Sequence, residues 1–382
     1  MGSPAAPGAL ELPTFKGRPG WEFTDISGLD LAAFETVSGP QEAVEPAETL
    51  FALPEPTELP EGVIVAPIDQ APRELLGSVV GADDVFTMLN DAGAYRAGSF
   101  VYVPRGVALT EPIALSTVQP RAGSLLHQRT LVVLEAGAQA EVWEQYLSPA
   151  GDPDGVVNVV TELVIGEGAR LRYVCGQALS EKTWIFGAQR AEIARDGSLD
   201  WVALGFGSTN GRVRMETKLA GQGAEARVTG AYASHGRQHI DFDTTQEHAA
   251  PHTTSDLAFR GVLQGRSTAV WKGNIIVDPG AQKTDAFQES RNLLISKRAH
   301  ADAIPGLEIQ ANDVRCTHAA AVAQVDPEQL FYLRSRGLRE EVAKRLVIEG
   351  FLAALVERFE AGSVRERLAE ALERRLALVL AE

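Results

Sequence analysis

The stretch Gly137-Ala138-Gln139-Ala140-Glu141-Val142 returns three times downstream. Its copies are Gly168-Ala169-Arg170-Leu171-Arg172-Tyr173, Gly197-Ser198-Leu199-Asp200-Trp201 and Gly223-Ala224-Glu225-Ala226-Arg227-Val228. Each begins with a glycine and a small residue and runs on in alternation. The glycines stand 31, 29 and 26 residues apart, a degenerate repeat with the period of a stacked solenoid. Alternation places alanine, leucine and valine on one face of a strand and charge on the other. In the third copy the phase slips by one residue, which predicts a β-bulge there. Small inward residues suit a narrow interior with closely stacked coils, so a right-handed parallel β-helix (a β-solenoid) fits better than a sandwich. A solenoid of this kind leaves its last coil exposed, to be capped or paired with another chain.

The repeat lies within a longer region of one texture. From about Gly98 to Val325, short alternating runs are separated by glycine turns and no segment has helical periodicity. Upstream, prolines recur among acidic residues (Pro40, Pro46, Pro54, Pro56, Pro60), and residues 1–60 read as loosely ordered and linker-like. Trp21-Glu22-Phe23-Thr24-Asp25 stands out there and is expected to dock on the body. Residues 63–95 read as mixed structure with a short helix over Asp83–Ala92. Downstream the texture is helical. Asp326-Pro327-Glu328 predicts a capped helix start and Gly337 its end. A longer helix is expected from Glu340 to Glu360, with Val342, Leu346, Phe351 and Leu355 on its buried face. Ser363 with Glu366 reads as a capping box opening a last helix whose Val364, Leu368, Leu372, Leu376 and Val379 form an apolar stripe. The expected organisation is a small N-terminal region (1–95), a β-helix core (96–325) and a C-terminal α-helical region (326–382), in a mainly β protein.

Composition narrows the function classes. The 382 residues are 45% hydrophobic and 23% charged, as in an ordinary globular protein. No run reaches the ~18 consecutive apolar residues of a membrane helix, and Met1–Pro13 lacks the basic start of a secretory signal. Two cysteines do not make a disulfide framework, which points to a reducing, cytoplasmic setting. A net charge of −16 argues against nucleic acid. The sequence has no phosphate-binding loop, no Gly-x-Ser-x-Gly elbow and no His-Glu-x-x-His helix. No catalytic motif is present, and the rival reading, a β-helix enzyme acting on polysaccharide, would want paired carboxylates in a groove and a secretion signal.

Two constellations could hold a metal. Asp313-Val314-Arg315-Cys316-Thr317-His318 sets one of two cysteines two residues from one of seven histidines. On a strand this spacing points both soft donors to one face. Two donors cannot fill a coordination shell, so a bound ion would need ligands from elsewhere, including a second chain. A buried structural cysteine beside a hydrogen-bonded histidine is the plainer alternative. The second constellation is His235, His239, His248 and His252 with Asp241, Asp243 and Glu247 between them. It reads as a polar ladder at a surface or subunit edge, with a metal site as the alternative. Cys175, inside an apparent strand, is expected to be packing.

Several segments carry a family likeness. They are Trp271-Lys272-Gly273-Asn274-Ile275-Ile276-Val277, Ala281-Gln282-Lys283-Thr284-Asp285, Asn292-Leu293-Leu294-Ile295-Ser296 and Pro305-Gly306-Leu307-Glu308-Ile309. They continue through Asp313–His318 to Leu330-Phe331-Tyr332-Leu333-Arg334-Ser335-Arg336-Gly337, with Val101–Val107 and Trp21–Asp25 upstream. Together they resemble the SufB/SufD family of the SUF iron–sulfur cluster assembly system. SufB-like chains carry a cysteine a few residues before the Leu-Leu-Ile stretch, where this chain has Ser290. They also carry Glu-His-Glu where it has Thr317-His318-Ala319. Both differences place it on the SufD side, with a SufB-like paralogue as the alternative.

The resemblance implies a non-catalytic scaffold that pairs with SufB through the β-helices and docks the SufC ATPase on its C-terminal helices. ATP would then be hydrolysed on SufC. It also implies that Cys316 and His318 face SufB where a nascent cluster forms, as metal ligands completed by that partner. No tightly bound cofactor is expected, only a transient Fe–S cluster or iron, and a homodimer through the edge meant for SufB is open to the isolated chain.

Overall fold

In a computed structural model of the protein the described residues are 12, 20–37, 44–53, 58–91 and 97–381. The leader question over Met1–Pro13 (Leu12 excepted), the linker prolines Pro40, Pro54 and Pro56, and the Ala92 end of the first helix lie outside them.

The strands begin with β1 (Glu35–Thr36), β2 (Ile64–Pro67), β3 (Ala97–Val103), β4 (Ile113–Val118), β5 (Ser124–Leu134) and β6 (Gln139–Leu147). They continue with β7 (Gly155–Ile165), β8 (Arg170–Ala178), β9 (Thr183–Ile193), β10 (Ser198–Gly205), β11 (Asn210–Leu219) and β12 (Glu225–Ser234). The last are β13 (His239–His248), β14 (Thr254–Leu263), β15 (Thr268–Val277), β16 (Asp285–Leu294), β17 (His300–Ile309) and β18 (Arg315–Gln324). Helix α1 (Val85–Leu89) precedes β3, and α2 (Pro327–Ser335), α3 (Glu340–Val356) and α4 (Ser363–Ala381) follow β18.

Even strands β4 to β18 form one eight-stranded parallel sheet, and odd strands β3 to β17 pair in parallel in the other. Each coil gives one strand to each face, which makes the protein a β-solenoid. β2 closes the first end of the odd sheet antiparallel to β3, and β1 lies beside β5.

The turn before each even strand explains the repeat. Gly168 (φ 63°) and Gly223 (φ 74°) hold a left-handed conformation two residues before their strands. The third copy has no bulge. β10 pairs with β8 without interruption from Ser198↔Arg170 to Gly205↔Gln177. The slip lies in the turn, where Asp196 (φ 53°) takes the left-handed position and Gly197 follows it. His252 (φ 58°) and Lys283 (φ 63°) fill the same position in later turns. Turn amides bond along the stack, Gly168 N to Arg195 O and Asp196 N to Gln222 O, both at 2.9 Å. This continuous backbone support lets non-glycine residues hold a conformation that L side chains otherwise avoid.

Inside, large rings lie against glycines. A Cβ on Gly230 or on Gly273 would lie 2.2 Å from the ring of Phe259 or Trp271, respectively. The core is therefore filled by interlocking large and small side chains, as close packing requires.

Both sheets are covered outside. Over the even sheet, Ile348, Leu352 and Leu355 of α3 and Leu368, Leu372 and Leu376 of α4 bury Val202, Leu204, Ala233 and Val262. The α4 stripe is the expected one, and the α3 face is so in part. Leu355 is buried and Phe351 half-buried as expected, while Val342 and Leu346 are exposed and Ile348, Leu352 and Val356 are buried. Both stripes have helical spacing, and only contact with the sheet selects between them. Ser363 is itself the first helical residue of α4, and the Glu366 amide bonds the Gly362 carbonyl at 3.0 Å rather than closing a capping box.

N-terminal segments cover the rest, with residues 20–37 and 64–91 on the odd sheet and residues 44–53 beside the C-terminal helices on the even sheet. Trp21 packs on Phe86 and Phe186, while Phe23 is exposed. The linker-like reading fails for residues 44–53. Leu50 and Phe51 are buried, Phe51 meets Trp143 edge-on at 4.8 Å, and both amides donate to Gln145 Oε1 (3.0 and 3.1 Å). Proline and acid content there hid two apolar anchors.

Candidate site at the open end of the solenoid

β18 is the last strand of its sheet and β17 the last of the other, so each has one paired edge and one edge without a strand neighbour among the described residues. The register Cys316↔Ala286, His318↔Gln288, Ala320↔Ser290 and Val322↔Asn292 extends the inward row of β16 onto β18. On β17 the inward row is Ala301, Ala303, Pro305, Leu307 and Ile309, opposite Ala269 to Val277 of β15. In an internal coil the next rung would cover these residues. Here Leu307, Ile309 and Val322 are 37%, 42% and 42% exposed.

Cys316 and His318 share this inward row, as an i, i+2 pair on a strand must. Cys316 is half-buried against Ile275, Val277, Ala281 and Ala286. Burial, and then the negative charge of Asp285, push its thiol pKa up. The isolated chain thus holds a thiol there, and a nearby cation or metal is needed to favour the thiolate. His318 is exposed, beside Gln288, whose Nε2 donates to the Gly306 carbonyl at 3.0 Å. Lys283–Asp313 (2.5 Å) and the Arg315–Asp285 pair fasten the turn and first rung of β18. Among the described residues no group of three His, Cys, Asp or Glu side chains could hold a metal ion. The pair is an incomplete donor set on an open surface.

The second constellation is dispersed. His248 is fully buried, its ring nitrogens bonded to Thr253 Oγ1 (2.8 Å) and Ser255 Oγ (2.9 Å), and burial lowers its pKa to about 4. His239 lies between Thr24 and Thr268, and burial likewise lowers it to about 4. His235 meets Glu181 at 2.6 Å, and His252 is a turn residue. The pairs do not share a strand face, because His235 and His252 lie in turns beyond the ends of β13. Polar contacts hold here, but the His248 contacts lie in the interior and not at a surface ladder. Cys175 is buried in the core, and burial raises its thiol to about 12.

Residues 117–351 match the sequence profile described as SUF system FeS cluster assembly, SufBD core domain. The chain belongs to the SufBD family.

SufBD-family relatives share most of its length. An iron–sulfur cluster assembly SufBD family protein of Mycobacterium tuberculosis is 31% identical over 293 residues, covering 75% of this chain and 72% of the relative. The Bacillus subtilis iron–sulfur cluster assembly protein SufD is 32% identical over 287 residues, 75% of this chain and 65% of the relative. A Synechocystis SufBD family protein is 26% identical over 397 aligned positions, 94% and 87% of the two chains. The profile match contains the open end, Cys316, His318 and the first two C-terminal helices up to residue 351. Ser290, where SufB-like chains were expected to differ, is fully buried on the inward row of β16. The apolar inward rows of β17 and β18 were not singled out in the sequence. Their alternation is that of any strand, and only their place at the end of the stack exposes them.

Proposed function

We propose that this SufBD-family protein is a non-catalytic scaffold whose open solenoid end pairs with a second family member of the SufB type. Cys316 and His318 would then supply part of the ligand set for an iron–sulfur cluster or iron carried at the junction. The cluster is cargo, taken up and passed on, and not a resident cofactor. One observation carries the reading: two soft donors lie on the last inward row, on an uncovered edge strand, with no third donor beside them among the described residues. An edge with a row of unmade hydrogen bonds and exposed apolar side chains favours strand addition by another chain. That chain would bring the missing donors to the same row.

The C-terminal helices carry the second contact in this reading. Phe331 and Tyr332 on α2 are 74% and 57% exposed, next in the chain to the unused Val342–Leu346 stripe of α3. Apolar surface at this exposure is typical of a binding site, and the proposed occupant is a SufC-type ATPase that hydrolyses the ATP. The setting is cytoplasmic in this reading; no helix among the described residues is long and apolar enough to cross a membrane.

Co-expression with the SufB and SufC of the same source, tagged on this chain alone, tests it. Mass-resolved size exclusion and anaerobic iron and sulfide analysis would be read together. Co-elution of all three, with iron lost in Cys316→Ala/His318→Ala, is the expected result. A chain that elutes alone or as a homodimer beside them would sink the assembly reading. Full iron in the double variant would sink the shared site.

A further inference from the structure

On the outer surface of the solenoid many cations have a carboxylate one or two rungs away. Arg172 bridges Glu141 (3.2 Å) and Asp200 (3.0 Å), and Arg227 meets the same Asp200 at 2.6 Å. Arg190 and Lys218 flank Glu247 at 3.1 and 3.0 Å, and Arg260 meets Glu289 at 2.6 Å. Neighbouring strands lie about 4.8 Å apart, so alternating sign across rungs turns repulsion into attraction.

At one corner four cations without such a carboxylate lie together. Thr268 pairs with His239 on one side and His300 on the other, which stacks the turns before β13, β15 and β17. Gly236-Arg237, Gly265-Arg266 and Lys297-Arg298 then occupy equivalent positions, and the Arg266 amide donates to the Gly236 carbonyl at 2.8 Å. Arg237, Arg266, Lys297 and Arg298 are all exposed, and none is in an ion pair among the described residues. The flanking carboxylates Glu181 and Asp302 are engaged by His235 (2.6 Å) and His300 (3.2 Å).

The basic run begins at the turn before β13. One rung earlier the β11–β13 register puts Ser208 in line with Arg237, and there the residue is buried with a left-handed backbone (φ 66°) and carries no charge. Stacked like charges are destabilising. The chain has 51 acidic and 35 basic residues, so four unpaired cations on three consecutive turns run against its overall charge. Lysine and arginine placed at a cost to the free protein are accounted for by an anion that covers them.

We propose that the Arg237–Arg266–Lys297–Arg298 corner is a docking ridge for an acidic segment of a partner protein. Three rungs span about 10 Å, which matches three or four carboxylates of a short peptide. Nucleic acid is the poorer fit, since its affinity grows with many phosphate contacts along an extended basic surface, and the surrounding charge of −16 repels a long polyanion. The ridge ends on the last coil, and its assignment does not depend on what covers the open end.

The test uses the full chain, a fluorescein-labelled peptide with four glutamates in a Gly-Ser frame, and anisotropy at low salt. The expected result is saturable binding that weakens about tenfold or more in Arg237→Glu/Arg266→Glu/Arg298→Glu. An Arg73→Glu/Arg105→Glu/Arg195→Glu control of equal charge change should keep the peptide. Three results overturn the proposal. They are no peptide binding, an equal loss in the control, or tighter binding of a four-phosphate oligonucleotide that the ridge variant abolishes. The ridge variant should melt no lower than the parent, because it relieves repulsion. If it does not fold, the Gln versions of the same three substitutions carry the measurement.

Discussion

Arg129 on β5 and Glu162 on β7 lie side by side on the outer face of the odd sheet and share two hydrogen bonds to Glu162 Oε1, from Nε at 2.9 Å and from Nη2 at 2.7 Å. Both side chains are almost fully buried. Glu162 also accepts the amides of Gly77, Val79 and Val80 at 3.0, 3.0 and 3.2 Å, so the pair fastens the N-terminal covering to the solenoid. Removing Glu162 takes the nearest carboxylate from the buried Arg129 guanidinium, which keeps Asp91 at 3.2 Å, and leaves three amides without their acceptor. Glu162→Leu is expected to destabilise the protein by about 3–5 kcal/mol. Arg129→Met/Glu162→Leu should recover much of that loss in urea titration, while the 72–80 segment, deprived of its acceptor, becomes the first site of limited proteolysis. A double variant as unstable as the single one would contradict the pairing argument.

Glu144 is buried in the solenoid interior, where it accepts hydrogen bonds from Thr130 Oγ1 at 2.6 Å and from the Tyr173 hydroxyl. Burial raises its pKa above 4.5, and these hydrogen bonds offset only part of the shift. Folding therefore disfavours the ionised form relative to the unfolded chain. The favourable contribution is fully present below the unfolded value and is lost as pH rises through the raised folded value. Glu144→Gln keeps an acceptor for one hydroxyl, turns an NH2 donor to the other and removes the titration. Its stability relative to the parent should rise with pH above the ordinary glutamate value in chemical denaturation and level off once the folded carboxyl has ionised. A pH-independent difference would mean that Glu144 ionises at the same pH in the folded and the unfolded chain.

Asp241 ties the N-terminal strap in the same way. The buried Thr24 hydroxyl donates to it, and Arg212 lies 3.8 Å away while also bonding Asp243. Burial raises the Asp241 pKa from 3.8 to about 7 against the opposing pull of Arg212 and Thr24. The sign is again that of a raised acid, with stability present at low pH and lost as pH climbs through about 7. Hydrogen exchange in residues 22–30, corrected for its intrinsic pH dependence, should show looser docking at pH 8 than at pH 6. Asp241→Asn should remove that difference.

How far the sequence carried this reading depends on what each signal measures. Glycine turns and alternation are local, and they reported the solenoid, the turn period and the last helical stripe correctly. The bulge expected at Gly197 came from treating glycine as the only left-handed residue. Asp196 holds that conformation because neighbouring turns bond its backbone, a fact of stacking that one copy of the repeat cannot display. Val342 and Leu346 share the spacing of Leu355, yet the sheet takes Ile348 and Leu352 with Leu355 and leaves the other two in solvent. Cys316 and His318 were legible as a shared face because i, i+2 is a local rule. Their exposure at the end of the stack was not, since it follows from which strand happens to be last.

The exposed inward row of β18 gives a test that separates partner contact from folding. Val322 is 42% exposed and meets no rung on its outer side among the described residues. Val322→Asp should change the stability of the isolated chain by no more than about 0.5 kcal/mol, as for most surface substitutions. If a second solenoid continues the stack, the same change buries an unpaired carboxylate against that chain. Co-elution with the SufB-type partner should then fall by about tenfold or more in apparent affinity. The mirror experiment uses Phe331→Ser/Leu346→Ser on the C-terminal helices, which should leave the solenoid pairing intact and remove only the ATPase. A Val322→Asp chain that still pairs at parental affinity would place the partner elsewhere and leave Cys316 and His318 without a source of further ligands.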